Sequence, residues 1–120
     1  MTTRVRGPLS AIVKPWGGEQ LLAHTGQYAL KRIQVNRGEG SSLQYHNQKV
    51  ESLYMLSVVL QFEIGPSEKQ LETVQLKAGD CIDVPTGTVH RTLALEDCDL
   101  IEVSTPHLDD VVRLKDKYGR

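Results

Sequence analysis

A chain of 120 residues with formal net charge −1 is sized for one domain with its own core, and it lacks the basic footprint of a nucleic-acid partner. The N-terminal stretch MTTRVRGPLSAIVKPWGG has no apolar run of the kind a secretion signal needs, and no run anywhere is long enough to span a bilayer. Two cysteines, Cys81 and Cys98, make neither a disulfide framework nor a cysteine zinc site; they read as buried free thiols, so a cytoplasmic setting is expected.

Residues 1–26 read as an N-terminal arm. Gly7, Pro8, Pro15, Gly17 and Gly18 exclude a long helix there and leave short strands at Ala11–Val13 and Glu19–His24. Trp16 sits between Pro15 and Gly17, where its ring can lie on a surface. A barrel is expected over 27–107. Tyr28–Val35 alternates, with Tyr28, Leu30, Arg32 and Gln34 on one side and Ala29, Lys31, Ile33 and Val35 on the other. Ser52–Ile64 is rich in β-branched and aromatic residues, with a hairpin turn expected within Ser57–Leu60. Gln70–Leu76, Cys81–Val84, Val89–Ala94 and Leu100–Ser104 continue the series, separated by turns at Lys77–Asp80 and Pro85–Gly87. Many short strands at such spacing predict an all-β sandwich or barrel. Over 108–120, Leu108, Val111, Val112 and Leu114 have helical spacing behind Asp109 and Asp110, which predicts a short C-terminal helix.

The stretch from Gly38 to Ser57 carries the chemistry. It reads as strand, break and strand, with His46, Gln48 and Glu51 in the break. Residues two apart on extended chain share a face, so His46 and Gln48 can aim into one cavity and a bend lets Glu51 follow. An imidazole nitrogen, an amide oxygen and a carboxylate form most of a metal site, and His90 is the candidate for the fourth ligand. Zinc, manganese, iron and nickel all suit such a set.

Gly40, five residues, His46, one residue, Gln48, two residues, Glu51 resembles the first signature of the cupins, and Gly79, five residues, Pro85, one residue, Gly87, two residues, His90 resembles the second. The resemblance implies a small double-sheet jelly roll with a metal between the sheets. KPWGG, LKRIQV, SLQYHNQKVE and the closing DDVVRLKDKYGR are similar to the cupin domain of type II mannose-6-phosphate isomerases, a domain that also ends mannose-1-phosphate guanylyltransferases. Two positions depart from that pattern: Gln48 stands where the family has His, and Val58 where it usually has Gly. Gln48 then either ligates weakly or hydrogen-bonds a water, and the turn at Val58 must be built differently, because a β-branched residue resists positive φ.

The implied reaction is aldose–ketose isomerisation of a sugar phosphate. The metal would polarise the substrate oxygens, and Glu51 or Lys31 would move the proton. These roles compete, since a ligating Glu51 is less available as a base. Lys31, on an apolar face, either snorkels to the sheet edge or lines the cavity as a phosphate-binding cation; the second reading is preferred. Arg91 and Arg113, with Arg120, are further phosphate candidates by charge, and Tyr45 and Trp16 either stack on the sugar or cap the barrel mouth. His24 and His107 fit no spacing. A strand-rich arm on such a barrel suggests a homodimer. The rival function is a non-catalytic cupin that binds a sugar or nucleotide sugar in a regulatory or accessory role; an iron oxygenase is a third.

Overall fold

A computed structural model describes residues 5–57 and 59–116. Eleven strands follow in order: β1 Ser10–Lys14, β2 Gly17–His24, β3 Ala29–Val35, β4 Leu43–Tyr45, β5 Glu51–Met55, β6 Val59–Gly65, β7 Glu72–Lys77, β8 Cys81–Val84, β9 Val89–Ala94, β10 Cys98–Ser104 and β11 Val112–Lys115. They form a six-stranded sheet in the order β1-β2-β3-β10-β5-β8 and a five-stranded sheet in the order β11-β4-β9-β6-β7, with every pairing antiparallel. This is the all-β double-sheet arrangement that the alternation and the double signature predict. No helix of the described residues is long and apolar enough to cross a membrane.

Side-chain polarity changes along the strands, and this change creates the site. In the larger sheet the register sets Val35 against Cys98, Ile33 against Leu100, Lys31 against Glu102 and Ala29 against Ser104. The next strand over continues the layers, with Met55 beside Leu100, Leu53 beside Glu102 and Glu51 beside Ser104. In the smaller sheet Leu60 faces Ala94, Phe62 faces Thr92 and Ile64 faces His90. One end of the sandwich is therefore apolar, with Met55, Leu60, Leu76, Ala94 and Leu100 buried together. The other end collects buried Glu51, His90, Glu102 and Ser104. Period-two alternation puts both kinds of residue on inward faces; the apolar layers supply most of the hydrophobic stabilisation, and the polar layers are free to do chemistry.

Three expectations are corrected. Among the described residues there is no C-terminal helix: Leu108 lies in a turn, and Val112 and Leu114 enter β11, which pairs with β4 at Val112–Tyr45 and Arg113–Gln44. So short a helix is marginal in isolation, whereas the edge of β4 offers the backbone bonds directly. Lys117 of the expected helix and Arg120 lie outside the described residues. The Ser57–Leu60 segment is no hairpin either, because β5 and β6 lie in different sheets and the chain crosses between them there; Val58 itself lies outside the described residues. Finally, both cysteines are free but only Cys98 is buried, while Cys81 is exposed.

Candidate functional site

The first signature spans the passage from one sheet to the other. Gln44 and His46 follow one another at two-residue spacing along the inward side of β4 and its end, and Gln44 lies opposite His90 of β9. Glu51 opens β5 in the facing sheet. Between them the chain bends at Asn47 and Gln48, and Asp110 holds the bend from outside. Its carboxylate accepts the backbone N–H groups of Asn47 (3.0 Å), Gln48 (2.6 Å) and Lys49 (2.8 Å). Those bonds, the one from Gln48 foremost, keep the Asp110 carboxyl below its usual range. The second signature clasps the same bend: the Gly87 N–H donates to the His46 carbonyl (2.8 Å), and Thr86 Oγ1 donates to the Gln48 carbonyl (3.2 Å). Gly87 makes that turn at φ +77°, where a side chain would be strained.

His46, Glu51 and His90 converge, and one ligand atom from each lies within 4.8 Å of the other two. Their hydrogen bonds determine the tautomers. His46 Nδ1 lies 2.6 Å from the Asp110 carbonyl and His90 Nδ1 lies 2.9 Å from the Thr88 carbonyl. A carbonyl only accepts, so each Nδ1 carries the proton and each Nε2 is left to face the cavity. His46 Nε2 is 3.6 Å from Glu51 Oε2, and His90 Nε2 is 3.4 Å from Glu51 Oε1. Both Nε2 atoms are buried without a hydrogen-bond partner. Two unpaired nitrogen acceptors aimed at a buried carboxylate are an unfavourable arrangement that a shared cation would relieve. Donors about 2.1 Å from a tetrahedral zinc are about 3.4 Å apart, close to the separations here. Burial lowers the His46 pKa, which favours the neutral, ligating form. Phe62 stacks on the His90 ring, with centroids 5.8 Å apart and planes 12° apart.

Two buried residues that the sequence reading left out complete the cluster. Lys49 Nζ lies 2.8 Å from Glu51 Oε2 and 3.0 Å from Glu102 Oε2. Burial alone would lower the Lys49 pKa, but Glu102 and Glu51 outweigh it and hold the ammonium charged. Burial alone would likewise raise Glu51, yet the His90 imidazole and the Lys49 ammonium bring it down to about 2. Glu102 goes the other way: burial and the Glu51 charge push its carboxyl up, against the pull of Lys49 and Lys31.

These groups line a cavity of about 170 Å³, together with Lys14, Lys31 and Arg113. It adjoins a hollow of about 360 Å³ that shares those three cations. Lys31 makes a 3.4 Å ion pair with Glu19. The remaining candidates stand elsewhere. Gln48 is exposed and is not among the cavity residues, because the bend turns it outward and Lys49 inward. Tyr45 follows Gln44 on the opposite side of β4 and pairs with Val112. Arg91 follows His90 on the opposite side of β9 and meets Glu63 at 3.2 Å. Trp16 is buried in the apolar cluster and also borders the cavity. His24 and His107 contact the Pro106 carbonyl and Thr105 Oγ1, away from the cavity.

A family model described as mannose-6-phosphate isomerase C-terminal matches residues 7–116. Mannose-1-phosphate guanylyltransferase ManC of Salmonella typhimurium is 34% identical over 117 residues, covering 91% of this chain but only 23% of that protein. The chain thus spans about a quarter of the length of that relative. Among solved structures, KdgF from Halomonas sp. superposes with a TM-score of 0.70 at 24% identity, covering 82% of this chain and 87% of that one. An oxalate decarboxylase of Bacillus subtilis, described in terms of its Mn(II) centres, gives 0.73 at 20% identity over 91% of this chain and 30% of that one. Those two likenesses establish the cupin fold.

Proposed function

The chain belongs to the mannose-6-phosphate isomerase C-terminal family, and from that membership and the contents of the cavity we propose that it is a metal-dependent aldose–ketose isomerase of a sugar phosphate. One observation carries the reading. Two histidines, each with Nδ1 tied to a backbone carbonyl, present bare Nε2 atoms to a buried carboxylate. A domain that only bound sugar could dispense with such a set.

His46, Glu51 and His90 would hold the ion, which when bound would polarise the carbonyl and the adjacent hydroxyl of the substrate. The protein's own groups would do the rest. The Asp110 and Thr88 carbonyls hold the two imidazoles in their ligating tautomer. Lys31, with Lys14 and Arg113 beside it, supplies positive charge where the cavity opens into the adjoining hollow, suited to the substrate phosphate. Glu51 is held ionised and is a weak proton acceptor. Glu102, raised by burial, is the carboxyl suited to take a proton from one carbon and return it to its neighbour.

Metal content of the purified protein, with His46→Ala and His90→Ala beside the wild type, tests the site; conversion of mannose 6-phosphate followed by NMR tests the reaction. The expected result is a stoichiometric divalent ion lost from both variants, and slow turnover with the ion retained in Glu102→Gln. A folded wild type without an ion, even after incubation with one, would overturn the reading.

A further inference from the structure

Lys49 is the one buried lysine among the described residues, and it is placed where a mobile cation would otherwise be needed. The Asp110 carboxylate fixes its backbone N–H, so the side chain enters the cavity from an anchored point. Its ammonium touches two carboxylates at once, Glu51 at 2.8 Å and Glu102 at 3.0 Å. The Glu51 oxygen it meets, Oε2, is the same atom that faces His46 Nε2 at 3.6 Å. An ion held by His46 and Glu51 would therefore share that oxygen with a fixed positive charge. The ammonium draws electron density from the shared oxygen, and it repels a second cation across a distance too short for water or salt to screen.

We propose that Lys49 is a tethered counter-ion, which neutralises Glu51 and Glu102 in the ion-free protein and holds down the affinity of the cavity for a divalent cation. The proposal rests on the reading above that His46, Glu51 and His90 hold the ion. Its consequence is regulatory. The domain stays folded without metal, because its buried carboxylates are already paired, and the metal it takes up is exchangeable.

Calorimetric titration with Mn²⁺ tests this; manganese is chosen because the exposed thiol of Cys81 would compete for zinc. The proteins are the wild type, Lys49→Met and the double variant Lys49→Met/Glu102→Gln. The double variant removes one charge of each sign, so any gain in affinity there comes from losing the competitor and not from net charge. We expect Mn²⁺ to bind at least tenfold more tightly in both variants, and its addition to raise their melting temperatures by more than it raises that of the wild type. Unchanged or weaker binding in the variants beside a binding wild type would overturn the tethered counter-ion and leave the metal reading intact. Tight binding in the variants with none in the wild type would uphold it and overturn the isomerase reading of the native chain. If neither variant is folded without Mn²⁺ and Mn²⁺ restores neither, or if no folded protein binds, the proposal falls.

Discussion

Gly40 opens the first signature, and its replacement by alanine should break the seam on which the site is built. A Cβ at this position would lie 1.8 Å from the Thr92 carbonyl oxygen and 2.8 Å from its carbon. Both are backbone atoms, so no side chain can swing aside, and the two chains must part by more than 1 Å to restore ordinary contact. Four hydrogen bonds bracket the contact. The Gly38 N–H donates to the Ala94 carbonyl and the Ala94 N–H to the Glu39 carbonyl, both at 2.8 Å. The Ser41 N–H donates to Thr92 Oγ1 at 3.1 Å and the Thr92 N–H to Ser41 Oγ at 3.0 Å. Losing two to four of them, at a net of about 1 kcal/mol each, gives an expected destabilisation of about 2–4 kcal/mol. Urea unfolding followed by the fluorescence of buried Trp16 measures this. Gly26→Ala is the control, since a Cβ there meets nothing within 4 Å; it should be neutral or stabilising by up to about 1 kcal/mol. Because Thr92 lies two residues from His90 on β9, Gly40→Ala should also weaken metal binding. A Gly40→Ala protein within about 0.5 kcal/mol of wild type, a size usual for harmless surface changes, would refute the reasoning.

Asp110→Ala should loosen the bend at residues 46–49 and reduce metal affinity by roughly ten- to a hundredfold without removing a ligand, measured by Mn²⁺ titration. The same variant carries a pH signature. The folded Asp110 pKa is depressed by the three backbone N–H groups, so its stabilisation is complete above the ordinary carboxylate pKa of about 4 and is lost as the pH falls through the lower folded value. The gap between wild-type and Asp110→Ala urea curves should therefore be open at neutral pH and narrow below about pH 4; a gap independent of pH would contradict this account. Phe62 is fully buried and backs the His90 ring, so Phe62→Ala should cost about 3–5 kcal/mol in chemical denaturation, with Phe62→Leu much closer to wild type. A loss below about 1.5 kcal/mol in Phe62→Ala, no more than an Ile→Val change costs, would mean that the cavity wall can collapse around the gap.

Strand positions were legible because two-residue alternation is local. Cys81–Val84 and Val89–Ala94 are read from sequence at the bounds they have in the fold. The placement of Lys31 on the inward face of β3 follows from the same alternation. What the sequence hid depends on partners far along the chain. Val111, Val112 and Leu114 satisfy helical spacing on their own, and only the open edge of β4, 67 residues earlier at the Val112–Tyr45 pair, draws Val112 and Leu114 into a strand. Whether Ser57 lies in a hairpin or a crossover depends on which sheet each strand joins, and local pattern carries no such information. Glu102 had a readable signal: β10 alternates so that Cys98, Leu100, Glu102 and Ser104 share the buried side, and a carboxylate on a buried side calls for a partner.

Lys49 had no such signal, and the reason shows how the site is built. Two-residue spacing from His46 selects Gln48, which is correct only while the chain stays extended. The three N–H bonds to Asp110 end that extension at Asn47, so the inward position passes from a neutral amide to an ammonium. The difference of one residue changes the charge of the cavity as well as its shape. With Gln48 inward, Glu51 and Glu102 would share a buried pocket with two imidazoles and no ammonium in contact with both carboxylates. With Lys49 inward, each carboxylate has a charged partner within 3.0 Å. If Lys49 is the tethered counter-ion proposed above, the cavity needs no bound ion in order to fold, and His46, Glu51 and His90 still offer one three ligands.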